Sequence, residues 1–275
     1  MNGEYPPGVW MTRKPPRLAY WVIPKCGCSS IKQIIHYLDN GEFLAGDIHD
    51  RHGPLLTSAT PEGRAEIERI PPSDPPFGFT LARNPFRRLA SCFADKIVGF
   101  PADGQRYRLG AVHEHLAAYG VEWGARANIV TNFRLFVRFA ADTVARGRPM
   151  APDRHWLPGV THLRNDSADF PSWPLGFVGH VENFTRDMDK VYRMAGVKSR
   201  RVPPSVPRAN ESYLFDLPLT KLYGPEEIRI VQDMYADDFR LFGYSGRLDQ
   251  AKPAAAVDLA ALYAELRRVP AQLAG

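Results

Sequence analysis

Cysteine is scarce, with three in 275 residues. Cys26, Cys28 and Cys92 are an odd set, and two of them are one residue apart, which excludes a disulfide framework. No second pair matches Cys26-x-Cys28, so a zinc site is not expected; the bland alternative for both is small apolar filler. Long apolar runs are also missing. Nothing approaches the roughly 18 residues of a membrane span, and the segment MNGEYPPGVWMTRKPPR has no continuous hydrophobic signal region, so a soluble, cytoplasmic protein is expected. The triphosphate pattern GxxxxGK[ST] is absent as well, which disfavours an ordinary nucleotide triphosphatase.

What is present is globular: 44% hydrophobic and 24% charged residues at a length that suits one α/β core. The net charge of +5 favours anionic ligands. With 30 acidic residues the charge is mixed rather than tail-like, and no nucleic-acid partner is expected.

The chain is organised around residues 17–32. Leu18 to Ile23 is a short apolar run that reads as a buried parallel strand, and Pro24 ends it. Lys25, Gly27, Ser29 and Ser30 follow, then Ile31, Ile34, Ile35 and Leu38 at helical spacing. A strand, a small polar loop and a helix leave the first backbone N–H groups of the helix open to an oxyanion, with the helix dipole adding positive charge. Lys25 can reach over a phosphate or sulfate, Gly27 permits close approach, and the two serine hydroxyls can donate. On these residues alone a serine-capped helix after an ordinary strand is equally good.

Residues 1–16, rich in proline, glycine and charge, read as an extended arm. Residues 41–76 form a long connection carrying His49 and His52 around a helix over Pro61 to Arg69. Phe77 to Leu81 is a second strand, and Ala82-Arg-Asn-Pro-Phe-Arg-Arg-Leu-Ala-Ser-Cys-Phe93 turns it into a helix with Pro85 in the first turn. Arg83 falls at the strand end. Ser91, a little over two turns later, can return to the same face. The alternative is that Arg83, Arg87 and Arg88 form a solvated basic face over a packed serine.

Two strand-to-helix turns of this kind resemble the carbohydrate sulfotransferases of family 2, which use 3′-phosphoadenosine 5′-phosphosulfate (PAPS). In that family a PK-x-G-x-[ST]-S loop binds the 5′-phosphosulfate, and an arginine followed eight residues later by serine binds the 3′-phosphate. Here these stand as Pro24-Lys25-Cys26-Gly27-Cys28-Ser29-Ser30 and as Arg83 to Ser91. Asp153-Arg-His-Trp-Leu-Pro158 resembles the [DN]-x-HW-x-P segment, Gly176 to Phe184 a Gly-to-Glu strand segment, and Tyr235 to Tyr244 the closing Y-x-x-D-F-x-x-FGY. Gly159 stands where the family has glutamine, and the Golgi members' anchor and downstream cysteine have no counterpart. The likeness is therefore to a bacterial-type member.

The resemblance implies a P-loop-like three-layer α/β sandwich with a central parallel sheet flanked by helices, in a domain over 17–246 between the arm (1–16) and a C-terminal linker and helix (247–275). It implies sulfuryl transfer from PAPS to a hydroxyl, on a saccharide acceptor, with no metal. Lys25, Cys26, Gly27, Cys28, Ser29, Ser30, Arg83 and Ser91 would hold the nucleotide, with Arg208 as a further contact. Relatives that use a histidine base carry it between the two phosphate motifs, which points to His52, or to His49 three residues earlier; an acidic base is the alternative. His155 and Trp156 read equally as acceptor contacts and as packing. A phosphoryl transferase and a non-catalytic binder of sulfated glycans are the competing readings.

Overall fold

The computed structural model describes residues 8–45, 55–98, 110–123, 127–164, 173–206 and 217–267. In chain order its strands are β1 (Val9–Met11), β2 (Leu18–Trp21), β3 (Leu56–Thr57), β4 (Phe77–Ala82) and β5 (Leu175–His180). Its helices are α1 (Cys28–Asn40), α2 (Pro61–Glu68), α3 (Pro85–Phe93), α4 (Gly110–Ala118), α5 (Ile129–Arg146), α6 (Phe184–Met194), α7 (Leu219–Leu222), α8 (Pro225–Met234), α9 (Ala236–Leu241) and α10 (Leu259–Leu266). The chain packs as two compact units. One holds Met1–Ala82, Val160–Asn210 and Val257–Gly275, the other Arg83–Gly159 and Glu211–Ala256.

The first unit is built on a sheet of order β3-β1-β2-β4-β5. The expected α/β class with a helix-flanked sheet stands, but the sheet is mixed. β2, β4 and β5 run parallel, whereas β1 is antiparallel to both β2 and β3. Parallel order is confined to strands joined by long connections, because only those can return the chain to the same starting edge. β2 is fully buried, as its unbroken apolar run requires. Leu18, Tyr20, Phe79 and Leu81 pack with Ile31, Ile34, Ile35 and Leu38 of α1 and with Met188, Val191 and Tyr192 of α6 in one cluster. Each such side chain contributes about 1.5–3 kcal/mol by leaving water.

Within the extended arm expected of residues 1–16, the described residues 8–16 instead carry β1, which sits inside the sheet with Val9 and Met11 wholly buried. Its proline-rich exit is held too. The backbone N–H groups of Arg13 and Lys14 donate to the Asp39 carboxylate at 2.9–3.0 Å, and Arg201 donates both to the carbonyl of Pro15 at 2.5 Å and to that of Leu38 in α1 at 2.8 Å. Proline and charge here mark a tight turn between strands, which composition alone cannot tell from a loose segment. The C-terminal helix α10 lies on β5, where the Tyr263 hydroxyl meets both the N–H and the C=O of Leu175.

In the second unit α3, α5, α7, α8 and α9 surround an aromatic core. Phe86, Phe93, Phe133, Phe136, Tyr223 and Trp156 meet edge-on or tilted at 4.8–5.7 Å between ring centres, the separation aromatic pairs prefer.

Candidate active site

The β2–α1 turn carries two left-handed residues, Lys25 at φ 67° and Gly27 at φ 76°. Space does not demand glycine at 27, since an added Cβ would meet Phe184 and Val181 only at 3.7–3.8 Å. The backbone angle does, because a side chain in that region clashes with its own chain. Gly27 is the N-cap of α1, its carbonyl accepting from Ile31 N at 3.1 Å. No cap side chain bonds the helix N-terminus, and its first turn has no acidic residue. A thirteen-residue helix thus begins without the carboxylate or hydroxyl cap that would offset its dipole, which is the arrangement an external oxyanion stabilises. Cys26 and Ser29 are buried; Lys25, Cys28 and Ser30 are half-buried. All three cysteines are free thiols.

Because β2, β4 and β5 are parallel, their carboxyl ends share one edge, where ligands of open α/β sheets bind. His180, the last residue of β5, is buried beside Asp187. Its N–H donates to Asp187 Oδ2 at 2.9 Å, and its Nδ1 lies 3.6 Å from the same oxygen. Arg186 and Lys190 approach the other oxygen at 3.1 and 3.7 Å. Gly179 makes room for this pair, since a Cβ there would stand 3.0 Å from Asp187 Cβ and 2.6 Å from Leu81. Sequence reading covered this segment by resemblance without singling out the buried histidine and aspartate, whose spacing of seven crosses from strand to helix.

Arg83 follows directly on Ala82, the end of β4. Asn84 caps α3, its side chain accepting from Phe86 N at 3.1 Å and Arg87 N at 3.4 Å, with Pro85 next. Arg83 is half-buried and Ser91 is buried. The solvated basic face held open for this helix fails at Arg88, which is 1% exposed. Its Nη1 donates to Leu157 O at 2.6 Å and lies 4.0 Å from Asp238 Oδ2. Asp238 accepts from Gly159 N at 2.6 Å, and the Tyr235 hydroxyl donates to Trp156 O at 2.7 Å. Arginine, the Trp156–Gly159 stretch and the Tyr235–Asp238 stretch thus interlock through buried hydrogen bonds. The two segments are thus joined in space, which single-motif reading does not reveal.

Trp156 as an acceptor contact is corrected. It is wholly buried, its indole N–H donates to Thr143 Oγ1 at 2.9 Å, and its ring lies edge-on to Phe136. It is a packing residue. His155, next to it, differs. Asp153 Oδ1 lies 2.5 Å from His155 Nδ1 and accepts from His155 N at 2.8 Å, and the imidazole side chain is 20% exposed. Burial holds the His155 imidazole below its ordinary value, against the opposing pull of Asp153. Burial also raises the Asp153 carboxyl, but the hydrogen bond and charge of His155 outweigh it, leaving that group below the ordinary carboxylate range. His49, His52 and Arg208 lie outside the described residues. His36 is buried in α1, with Nδ1 2.9 Å from the carbonyl of Glu42, a structural position.

Fold and loop together define an α/β protein whose β2–α1 turn leaves a helix N-terminus with no cap side chain and no acidic first turn. Residues 8–245 match the Sulfotransferase family, and the chain belongs to that family. It is similar to carbohydrate sulfotransferase 10 of Homo sapiens, 26% identical over 244 residues that cover 83% of this chain and 64% of the relative. It is also similar to carbohydrate sulfotransferase 10 of Danio rerio, 26% identical over 249 residues with the same coverage, and to carbohydrate sulfotransferase 14 of Mus musculus, 25% identical over 241 residues covering 83% and 58%. The chain thus spans somewhat under two thirds of the length of these relatives. No solved structure matches it. Among the described residues no helix is long and apolar enough to cross a membrane.

Proposed function

We propose that the protein transfers a sulfuryl group from PAPS to a hydroxyl of a carbohydrate acceptor, leaving adenosine 3′,5′-bisphosphate. The observation that carries this reading is the β2–α1 turn, an uncapped helix N-terminus behind two left-handed residues, one of them Lys25. Membership of the family supports the donor. The printed names of the relatives support the acceptor class.

Transfer requires in-line positioning and charge at the leaving oxygen. Lys25 and the first N–H groups of α1 supply positive charge where the 5′-phosphate departs, and the Ser29 and Ser30 hydroxyls add donors. Arg83 and Ser91 anchor the 3′-phosphate, and this anchoring separates PAPS from nucleotides that lack that group. A lysine and a helix dipole fill the charge role that magnesium has in phosphoryl transfer.

Adenosine 3′,5′-bisphosphate, added without metal, should raise the melting temperature. A ligand at a hundred times its Kd adds about 2.7 kcal/mol to the folded state. Magnesium ATP should do less. Equal stabilisation by both would favour a phosphoryl transferase, and stabilisation by sulfated glycans alone would favour a binder of sulfated glycans.

A further inference from the structure

The β2–α1 turn holds something that anion binding does not use, two thiols on either side of Gly27. Cys26 is wholly buried, Cys28 is half-buried as the first residue of α1, and neither is in a disulfide. The residue between them is left-handed, with φ 76° and ψ 20°. A residue near helical angles of either hand holds its neighbours' Cα atoms about 5.5 Å apart, by the radius and rise of a helical turn, and disulfides span roughly 4.4–6.8 Å between Cα atoms. The pair is therefore within bridging range, with glycine as a pivot that can adjust.

Beneath the turn lies a second feature, Tyr20 of β2. Its ring packs in the core against Phe79, and its hydroxyl is buried with no hydrogen-bond partner among the described residues. A buried hydroxyl is rarely left in that state. Burial pushes this hydroxyl far above its ordinary value and the charges of Cys28 and Cys26 add to the rise, while the Ile23 N–H opposes it without completing a hydrogen bond. Both thiols thus lie on the inner side of the turn, around one hydroxyl. An oxygen placed on the Cys28 sulfur would give that hydroxyl the acceptor it lacks.

We propose that Cys26 and Cys28 are an oxidation site, at which hydrogen peroxide joins the two thiols into a disulfide and the turn gives up its hold on an oxyanion. The loss of hold, though not the oxidation, rests on the sulfuryl-transfer reading above. Cys28, the thiol within reach of solvent, attacks one peroxide oxygen. The O–O bond breaks, the departing oxygen leaves as water with the thiol proton, and Cys28 becomes a sulfenic acid whose oxygen accepts from Tyr20. The Cys26 sulfur then attacks the Cys28 sulfur, the S–O bond breaks, and the oxygen leaves as a second water with the Cys26 proton. Two thiols lose two electrons in all, and one peroxide becomes two waters. Closing the bridge draws the Cβ atoms to about 3.5–4.5 Å and turns Gly27, so the N–H groups at the start of α1 no longer converge on one anion.

The test uses the full chain, first reduced with dithiothreitol and then treated with hydrogen peroxide. Trypsin releases residues 26–32 as one peptide, because Lys25 and Lys32 flank the pair. After peroxide that peptide should carry no alkylatable thiol and be lighter by two hydrogen atoms, whereas the Cys92 peptide should still alkylate. Affinity for adenosine 3′,5′-bisphosphate should fall about tenfold or more, the loss of at least one charge-assisted contact, and should return with dithiothreitol, which does not reverse oxidation of methionine. Tyr20→Phe should slow formation of the bridge about fivefold, the loss of one hydrogen bond, and leave bisphosphate affinity of the reduced chain in place. Two alkylatable thiols in the 26–32 peptide after peroxide overturn the oxidation site, as does a sulfinic acid on Cys28 in place of the bridge. Undiminished bisphosphate affinity in a chain that carries the bridge overturns its effect on the turn. A reduced chain that binds no bisphosphate sinks the transfer reading, and the mass of the peptide then decides the oxidation site by itself.

Discussion

Lys25 and Arg83 are distinguished by the nucleotide offered. If Arg83 holds the 3′-phosphate as proposed, Arg83→Ala removes a charge-assisted contact of about 1.5–3 kcal/mol, so affinity for adenosine 3′,5′-bisphosphate should fall roughly ten- to hundredfold. Affinity for adenosine 5′-phosphosulfate, which lacks the 3′-phosphate, should barely change, and equal losses would make Arg83 structural. Lys25→Ala should depress kcat more than nucleotide affinity, since its charge matters most as the leaving oxygen develops charge. The Asp153–His155 pair also has a stability consequence. Both groups sit below their ordinary values, so the unfolded chain holds more protons than the folded one in acid. The histidine's contribution is complete above about pH 6.5 and is lost as pH falls towards its folded value; the aspartate's is lost only below about pH 4. Urea unfolding of parent and His155→Gln at pH 7.5 and 5.5 should therefore show a difference that shrinks in acid.

At the scale of elements, β1 distinguishes two views of the N-terminal segment. An arm could be removed without harm. A strand between β2 and β3 cannot, because its loss bares two rows of backbone groups and opens the cluster beneath, so a chain starting at Lys14 should fail to give a cooperative thermal transition. Arg88 makes the matching case in the other unit. Its partner Asp238 is 2% exposed, and removing one member of a buried pair leaves an uncompensated charge at a cost of about 3–5 kcal/mol. Arg88→Ala should thus lower the melting temperature strongly, with or without nucleotide. Hydrophobic spacing found α1 and apolar runs found the strands β2 and β4, since a buried face or a buried strand writes itself into the placing of apolar residues. β1 and β3 were not legible. At three and two residues they are too short to hold a period, and their places are decided by partners brought from elsewhere in the chain.

For the whole molecule, the same distinction explains what was legible in the site. The β2–α1 loop was legible as a strand-to-helix turn because its residues are consecutive, and the Arg83–Ser91 segment because strand, cap and helix follow one another without a break. The Asp153–His155 pair was not legible as a buried pair, because its burial depends on a segment held from elsewhere in the chain, by Arg88 at Leu157 O and by Trp156 at Thr143. The His180–Asp187 pair depends likewise on a glycine and a strand-to-helix corner. One consequence of the sheet order concerns time rather than place. β5 completes the parallel ladder on β4, yet the ribosome makes the two strands about ninety residues apart, so at roughly 5–20 residues per second β4 waits several seconds or more for its neighbour. During that interval Phe79 and Leu81 lack part of their cover and the outer edge of β4 is open to any strand that passes. Chains released at residue 160 should accordingly be protease-sensitive from β1 to β4 and be retained by holdase chaperones, whereas chains that include α6 should not.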